Sequence, residues 1–231
     1  MANAWTLTVT APAADLQLLS EEELRTAAGL EPDDDSQDAR LATLGIQTAT
    51  ALANACNLAK AGYDPLFAAL ETPLRGEAPA TFKAETLMQT FRIGSGNAED
   101  KLYLARWPIL EILSVSTDAT DLAAAAWELD IPGASLARIS GYSTLSWPCG
   151  RVVVQYDAGY DVIPEDLKGY AARMVGLYYT SAGADPAERR VEIPGVITVE
   201  RWVDTAATDI LVPEDIMSGL ARDGYRRLFA S

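Results

Sequence analysis

The chain has 231 residues, 49% of them hydrophobic, with 33 acidic against 18 basic residues and no histidine, for a formal charge of -15. That size and apolar content suit one domain with appendages around a real core, while the acidic excess opposes binding nucleic acid by phosphate neutralisation. Without histidine there is no Ser-His-Asp triad, no Cys-His dyad and no His-ligated metal site.

The first segment, Ala4 to Pro12, places Trp5, Leu7 and Val9 on one face of an extended strand or arm. Ser20 and Glu23 then have capping-box spacing, and Gly29 sits where a short helix should stop. A long helix is predicted from an Asp35 N-cap to Gly62, with Asp38 in its first turn and a stripe of Leu41, Leu44, Thr48, Leu52, Ala55 and Leu58. A proline-bearing loop over 63–80 leads to a change of period. The segments beginning at Thr81, Ile109, Ala125, Ala134 and Gly150 are short and β-prone, and Gly, Pro, Asp or Ser separate them. They predict a small antiparallel sheet or half-barrel. A helix follows from Pro164 at N1 to Gly183, with Glu165 and Asp166 complementing its positive end. Leu167, Ala171, Met174 and Tyr178 form its stripe. The stretch 184–211 reads as a long arm or hairpin. A terminal helix repeats the Pro-Glu-Asp start at Pro213.

The class is therefore α+β: N-terminal helices, a small antiparallel β block, a helix, an extended arm and a C-terminal helix. Residues 1–183 make the core, and 184–231 the arm and docking helix. Expected core residues are Leu44, Leu52, Ile112, Val152, Val154, Leu167 and Met174.

Candidate chemistry is sparse. Counted from Asp33, the acidic run Asp33, Asp34, Asp35 and Asp38 puts Asp38 and Leu44 where a Ca²⁺ loop needs Gly and Glu. It reads as a solvated, helix-capping loop. Asp161 and Glu165, with Trp147, Tyr156 and Tyr160 as stacking faces, are the one pairing that suits an acidic carbohydrate-active or carbohydrate-binding protein. The sequence around Gly94 lacks phosphate-loop spacing. Cys56 and Cys149 are expected to be reduced thiols behaving as small apolar residues. No basic n-region precedes an apolar stretch, and no apolar run approaches the roughly 20 residues that cross a bilayer. A soluble protein made in a cytoplasm, with no cofactor, no metal and no enzymatic activity, is the expectation.

Taken together, Arg106-Trp107-Pro108, the strand Trp127 to Asp130, and Val152, Val154, Tyr156, Ala158, Gly159, Tyr160 and Pro164 resemble the head-tail connector (adaptor) proteins of tailed bacteriophages and gene transfer agents. The resemblance runs from about Leu18 to Ala182. It implies a structural virion protein of the neck, assembled in the host cytoplasm. Its copies would form a ring, typically a dodecamer, between the portal and a stopper or tail-terminator protein. DNA would pass through the lumen without specific binding, and no membrane is involved. Gly159, Tyr160, Pro164, Glu165 and Asp166 would then be turn and cap residues. Portal contact is expected from Ile216, Leu220, Arg222, Tyr225, Arg226, Arg227, Leu228 and Phe229. Contact with a neighbouring subunit or stopper is expected from Arg189, Arg190 and Trp202. Another tail-completion protein is the remaining alternative.

Overall fold

The computed structural model describes residues 4–60, 79–94, 99–183, 190–193, 197–200 and 212–226. The chain divides into two compact units that interleave in sequence. One holds Met1–Leu16, Cys56–Ile163 and Arg226–Ser231, and the other holds Gln17–Ala55 and Pro164–Tyr225.

The first unit is antiparallel β. Strands β1 (Ala4–Ala11), β2 (Glu85–Ile93), β4 (Ile109–Thr117), β5 (Thr120–Asp121) and β9 (Gly150–Ala158) form a sheet in the order β1-β2-β9-β4-β5. Strands β3 (Lys101–Tyr103), β7 (Ser135–Ser140) and β6 (Trp127–Asp130) form a second, with β8 (Ser143–Leu145) also on β7 and one 3-10 turn at Ala124–Ala126. All five predicted β segments are strands. The initial segment is a full strand, β1, paired from Ala4 opposite Arg92 to Ala11 opposite Thr86.

Alternation decides the core. Along β2, Leu87 and Phe91 turn inward with Glu85 and Gln89, and along β9 Val152, Val154, Tyr156 and Ala158 do so. Register sets Phe91 opposite Val152 and Leu87 opposite Tyr156, so the inward rows meet across the two strands. Ile112 departs from expectation: it is only half-buried, because β4 carries two bulges that break its alternation.

The second unit is helical: α1 (Glu21–Ala28), α2 (Asp38–Ala55), α3 (Glu165–Gly183) and α4 (Glu214–Arg222). Both halves of the capping box form at α1, and Gly29 closes the helix at φ 74. Helix α2 starts two residues later than an Asp35 N-cap predicts. The Asp38 amide bonds the Asp35 carbonyl at 3.2 Å in a turn, and the Asp38 carboxylate is taken by Arg25. The helix also stops early, at Ala55, two residues before Asn57 at φ 58; Gly62 lies outside the described residues. Leu44 is half-buried, whereas Leu41, Thr48 and Leu52 are buried. Pro164 is the residue before α3 rather than its first, its carbonyl accepting the Lys168 amide at 3.0 Å. Pro213 takes the same place at α4. Leu167, Ala171, Met174 and Val175 are the buried stripe of α3.

Within 184–211 the described backbone is an antiparallel ribbon, β10 (Arg190–Ile193) with β11 (Ile197–Glu200), in keeping with a hairpin.

Candidate functional site

The corner after β9 is built by backbone. Gly159 has φ 117, and the amide of Tyr160 donates to the Phe82 carbonyl at 2.7 Å while the Ala84 amide donates back to the Tyr160 carbonyl at 3.2 Å. The Gly159 amide reaches the Pro108 carbonyl at 2.9 Å. A Cβ on Gly159 would lie 2.3 Å from the Lys83 carbonyl oxygen, so two chain segments approach where only glycine fits. Asp161 is exposed, and Trp147 and Tyr156 are buried. The Trp147 indole N–H donates to the Leu136 carbonyl at 3.2 Å, and the Tyr156 hydroxyl donates to Gln89 Oε1 at 3.0 Å. These two rings are core, so they offer no stacking face beside Asp161.

Beneath the corner lies a buried polar cluster that sequence reasoning missed. Arg106 Nη1 stands 3.3 Å from Glu85 Oε2, their side chains 3% and 2% exposed. The guanidinium also donates to the carbonyls of Ala59 at 2.5 Å and Thr81 at 2.9 Å. Gln89 accepts from the Ala105 amide at 2.9 Å and donates to the Tyr103 carbonyl at 3.2 Å, binding β2 to the segment that leaves β3. Burial raises the Glu85 carboxyl above its ordinary value and lowers Arg106, each charge partly restoring the other. Burial also raises the Tyr156 hydroxyl. The only signal in sequence was a charged residue inside the apolar run Leu104 to Pro108. The cluster joins four separate pieces of chain: Ala59, Thr81 to Gln89, Tyr103 to Arg106, and Tyr156.

In the helical unit, Glu165 is exposed and pairs with Lys168 at 3.3 Å. Asp166 accepts from the Leu167 amide at 2.9 Å and from the Tyr225 hydroxyl at 2.6 Å. Tyr225 is buried, as are Ile216 and Leu220, which are fully covered. The apolar residues of the expected docking stripe, Ile216 and Leu220, are thus already covered in the single chain. Gly219 sits where a Cβ would meet the Tyr170 hydroxyl at 2.3 Å, Tyr170 donates to Asp223 at 2.6 Å, and Arg173 pairs with Asp215. Arg222 and Arg226 remain exposed, Arg222 bonding Asp223 at 3.0 Å. Arg189, Trp202, Arg227, Leu228 and Phe229 lie outside the described residues, as does the side chain of Arg190.

The acidic loop does local work: Arg25 grips both Asp38 oxygens, and Asp34 accepts from the Ser36 amide at 3.1 Å. Among the described residues, no group of three or more acidic or thiol side chains is placed to hold a metal ion, and no helix is long and apolar enough to cross a membrane. Both cysteines are free; burial pushes the Cys56 thiol up to about 12, while Cys149 is exposed.

These ion pairs set an acid limit for the helical unit. The Lys168 ammonium, donating to Glu23 at 2.8 Å, holds that carboxyl below its ordinary 4.5, and Arg25 holds Asp38 below 3.8. Both folded values are depressed, so their stabilisation is present above those values and is lost as pH falls through the lowered ones. The advantage of the native chain over a Lys168→Met variant in thermal unfolding should therefore shrink between about pH 5 and about pH 2. An advantage that stays constant across that range would contradict the pairing.

No family model and no curated protein matches the sequence. Solved structures do. A chain from the neck of an empty gene transfer agent (GTA) particle, computed with C6 symmetry, aligns at TM-score 0.57 and 16% identity over 98% of each chain. A chain from the virion of a native GTA particle aligns at TM-score 0.55 and 16% identity, over 97% of this chain and 98% of that one. The protein shares the α+β fold of these particle chains.

Proposed function

We propose that this chain is a structural neck protein of a tailed particle, a head-tail connector adaptor that assembles into a ring between the portal and a stopper or tail protein. The observation that carries the reading is the fold likeness to a GTA neck chain across nearly the whole length of both. The motif resemblance around Arg106 and Gly159 supports it, since those residues hold the β unit together. An acidic chain of formal charge -15 suits a wall along which DNA must slide without being gripped, because like charges repel the phosphates. The carbohydrate alternative loses its support with Trp147 and Tyr156 buried. For portal contact, the exposed cations Arg222 and Arg226, together with Arg227, Leu228 and Phe229, are the proposed surface, because Ile216 and Leu220 are covered.

Native mass spectrometry and electron microscopy of the purified chain, alone and mixed with its portal protein, test the reading. Closed rings, or rings completed on the portal, are expected. A chain that stays monomeric under both conditions, or that maps away from the neck in whole particles, would overturn it.

A further inference from the structure

The outer face of the larger sheet carries two like-charged pairs. Arg92 on β2 stands directly opposite Arg151 on β9, and Glu111 on β4 stands directly opposite Asp157 on β9. The inward row of β9 is Val152, Val154, Tyr156 and Ala158, so Arg151 and Asp157 share the other face, and their cross-strand partners share it with them. Arg92, Arg151 and Glu111 are exposed, and Asp157 is half-buried. Side chains directly opposite have Cβ atoms about 5 Å apart, and like charges there destabilise a sheet. None of the four side chains forms an ion pair among the described residues. Asp118, whose carboxylate accepts from the Arg151 amide at 3.0 Å, pairs with neither guanidinium. The Oδ1 atom of Asp157 is covered and has no hydrogen-bond partner among the described residues.

The two pairs sit at opposite ends of one face. Arg151 and Asp157 are six residues apart on β9, roughly 20 Å at about 3.4 Å per residue. Between them the face is uncharged: Val153 lies opposite Thr90 and Ser116, and Gln155 lies opposite Met88 and Ser114. In a chain of formal charge -15, a face whose charges cancel is one that another copy can approach with little repulsion. An uncharged centre with charges towards the rim is also the usual make-up of a protein interface. The face carries its own complement, two cations at one end and two anions at the other. Turning a second copy end for end brings opposite charges together at both ends.

We infer that this face binds the same face of a second copy, with the strands of the two sheets running roughly antiparallel. Arg92 and Arg151 of each copy then meet Glu111 and Asp157 of the other. Sheets packed face to face hold their strands within about 30° of one another, which lets both ends engage at once. The contact is isologous, each charged pair meeting its complement twice. It does not rest on the neck reading, because a ring closes through a head-to-tail contact between two different surfaces.

The test uses the full-length chain and two charge-reversed variants. Arg92→Glu with Arg151→Glu makes both ends of the face acidic, and Glu111→Lys with Asp157→Lys makes both ends basic. Each reversed pair is still a like-charged pair, so thermal unfolding of the variants should stay close to native. If Asp157→Lys unfolds the chain, Glu111→Lys alone takes its place. Native mass spectrometry and sedimentation across a dilution series in low salt read the association. The native chain is expected to dimerise, and each variant alone to associate roughly tenfold or more weakly, because like charges then face each other. An equimolar mixture of the two variants should restore a one-to-one heterodimer. A native chain that stays monomeric, variants that dimerise as the native chain does, or a mixture without heterodimer would each sink the inference. So would binding of a DNA duplex that Arg92→Glu with Arg151→Glu abolishes, since the arginines would then serve phosphate. Rings that persist in both variants, with no heterodimer in the mixture, would remove this contact and leave the neck reading standing. Dimers without rings would do the reverse.

Discussion

Arg106→Met is expected to cost the β unit about 3–5 kcal/mol at neutral pH, the range for removing one partner of a buried ion pair. The variant leaves the Glu85 carboxylate, 2% exposed, without its counter-charge, and removes donors to the Ala59 and Thr81 carbonyls. At about 2–4 °C per kcal/mol for a chain of this size, the melting temperature should fall by roughly 10 °C. The loss has a pH signature. Burial already lifts Glu85 above its ordinary 4.5, and without Arg106 the lift is larger. The unfolded chain then ionises at lower pH than the folded one. Between those two values the unfolded state binds fewer protons, so the variant loses stability as pH rises. Its deficit should be smallest near pH 4 and full at pH 7, the residue at acid pH being the two lost carbonyl bonds. Glu85→Gln added to Arg106→Met should recover much of the neutral-pH loss. Thermal unfolding of the three proteins at both pH values checks this; a deficit equal at pH 4 and pH 7 would mean that the pair is not desolvated.

Gly159→Ala should be nearly as damaging. A residue at φ 117 is strained for any side chain, at roughly 1–3 kcal/mol. The new Cβ would also meet the Lys83 carbonyl oxygen at 2.3 Å and carbon at 2.5 Å, backbone atoms that cannot rotate aside. Relieving the clash separates the segments joined by the Tyr160–Phe82 and Ala84–Tyr160 bonds, each worth about 1 kcal/mol. A loss of about 3 kcal/mol or more is expected by urea unfolding. Gly169→Ala is the control: its Cβ meets nothing within 4 Å, and in a helix Ala is favoured over Gly by up to about 1 kcal/mol. Equal unfolding midpoints for Gly159→Ala and the native chain would show that the corner is looser than described.

Several features were legible in sequence because their causes are local. The Ser20–Glu23 capping box needs only residues three apart, and it forms as read. The Pro-Glu-Asp helix starts at Pro164 and Pro213 held to within a residue. The five β segments were visible as short runs of strand formers bounded by turn residues, and Gly159 as the turn between strand and helix. Of the expected core, Leu52, Val152, Val154, Leu167 and Met174 are fully buried.

What escaped sequence reasoning depends on partners far away along the chain. Nothing near Arg106 says that Glu85 will meet it, because β2 and the segment after β3 become neighbours only when the sheets close. Leu110 and Leu113 look like core beside Ile109 and Ile112; two bulges, set by pairing with β9, turn them outward. Ile216 and Leu220 read as a free amphipathic face, yet both are fully covered in the folded chain. The sequence by itself determined where helices and strands begin, to within a few residues, and how strongly acidic the chain is, since these follow from each residue and its close neighbours. Tertiary structure alone decided which apolar and charged groups are hidden and which strands pair, because burial and pairing belong to segments brought together from distant positions.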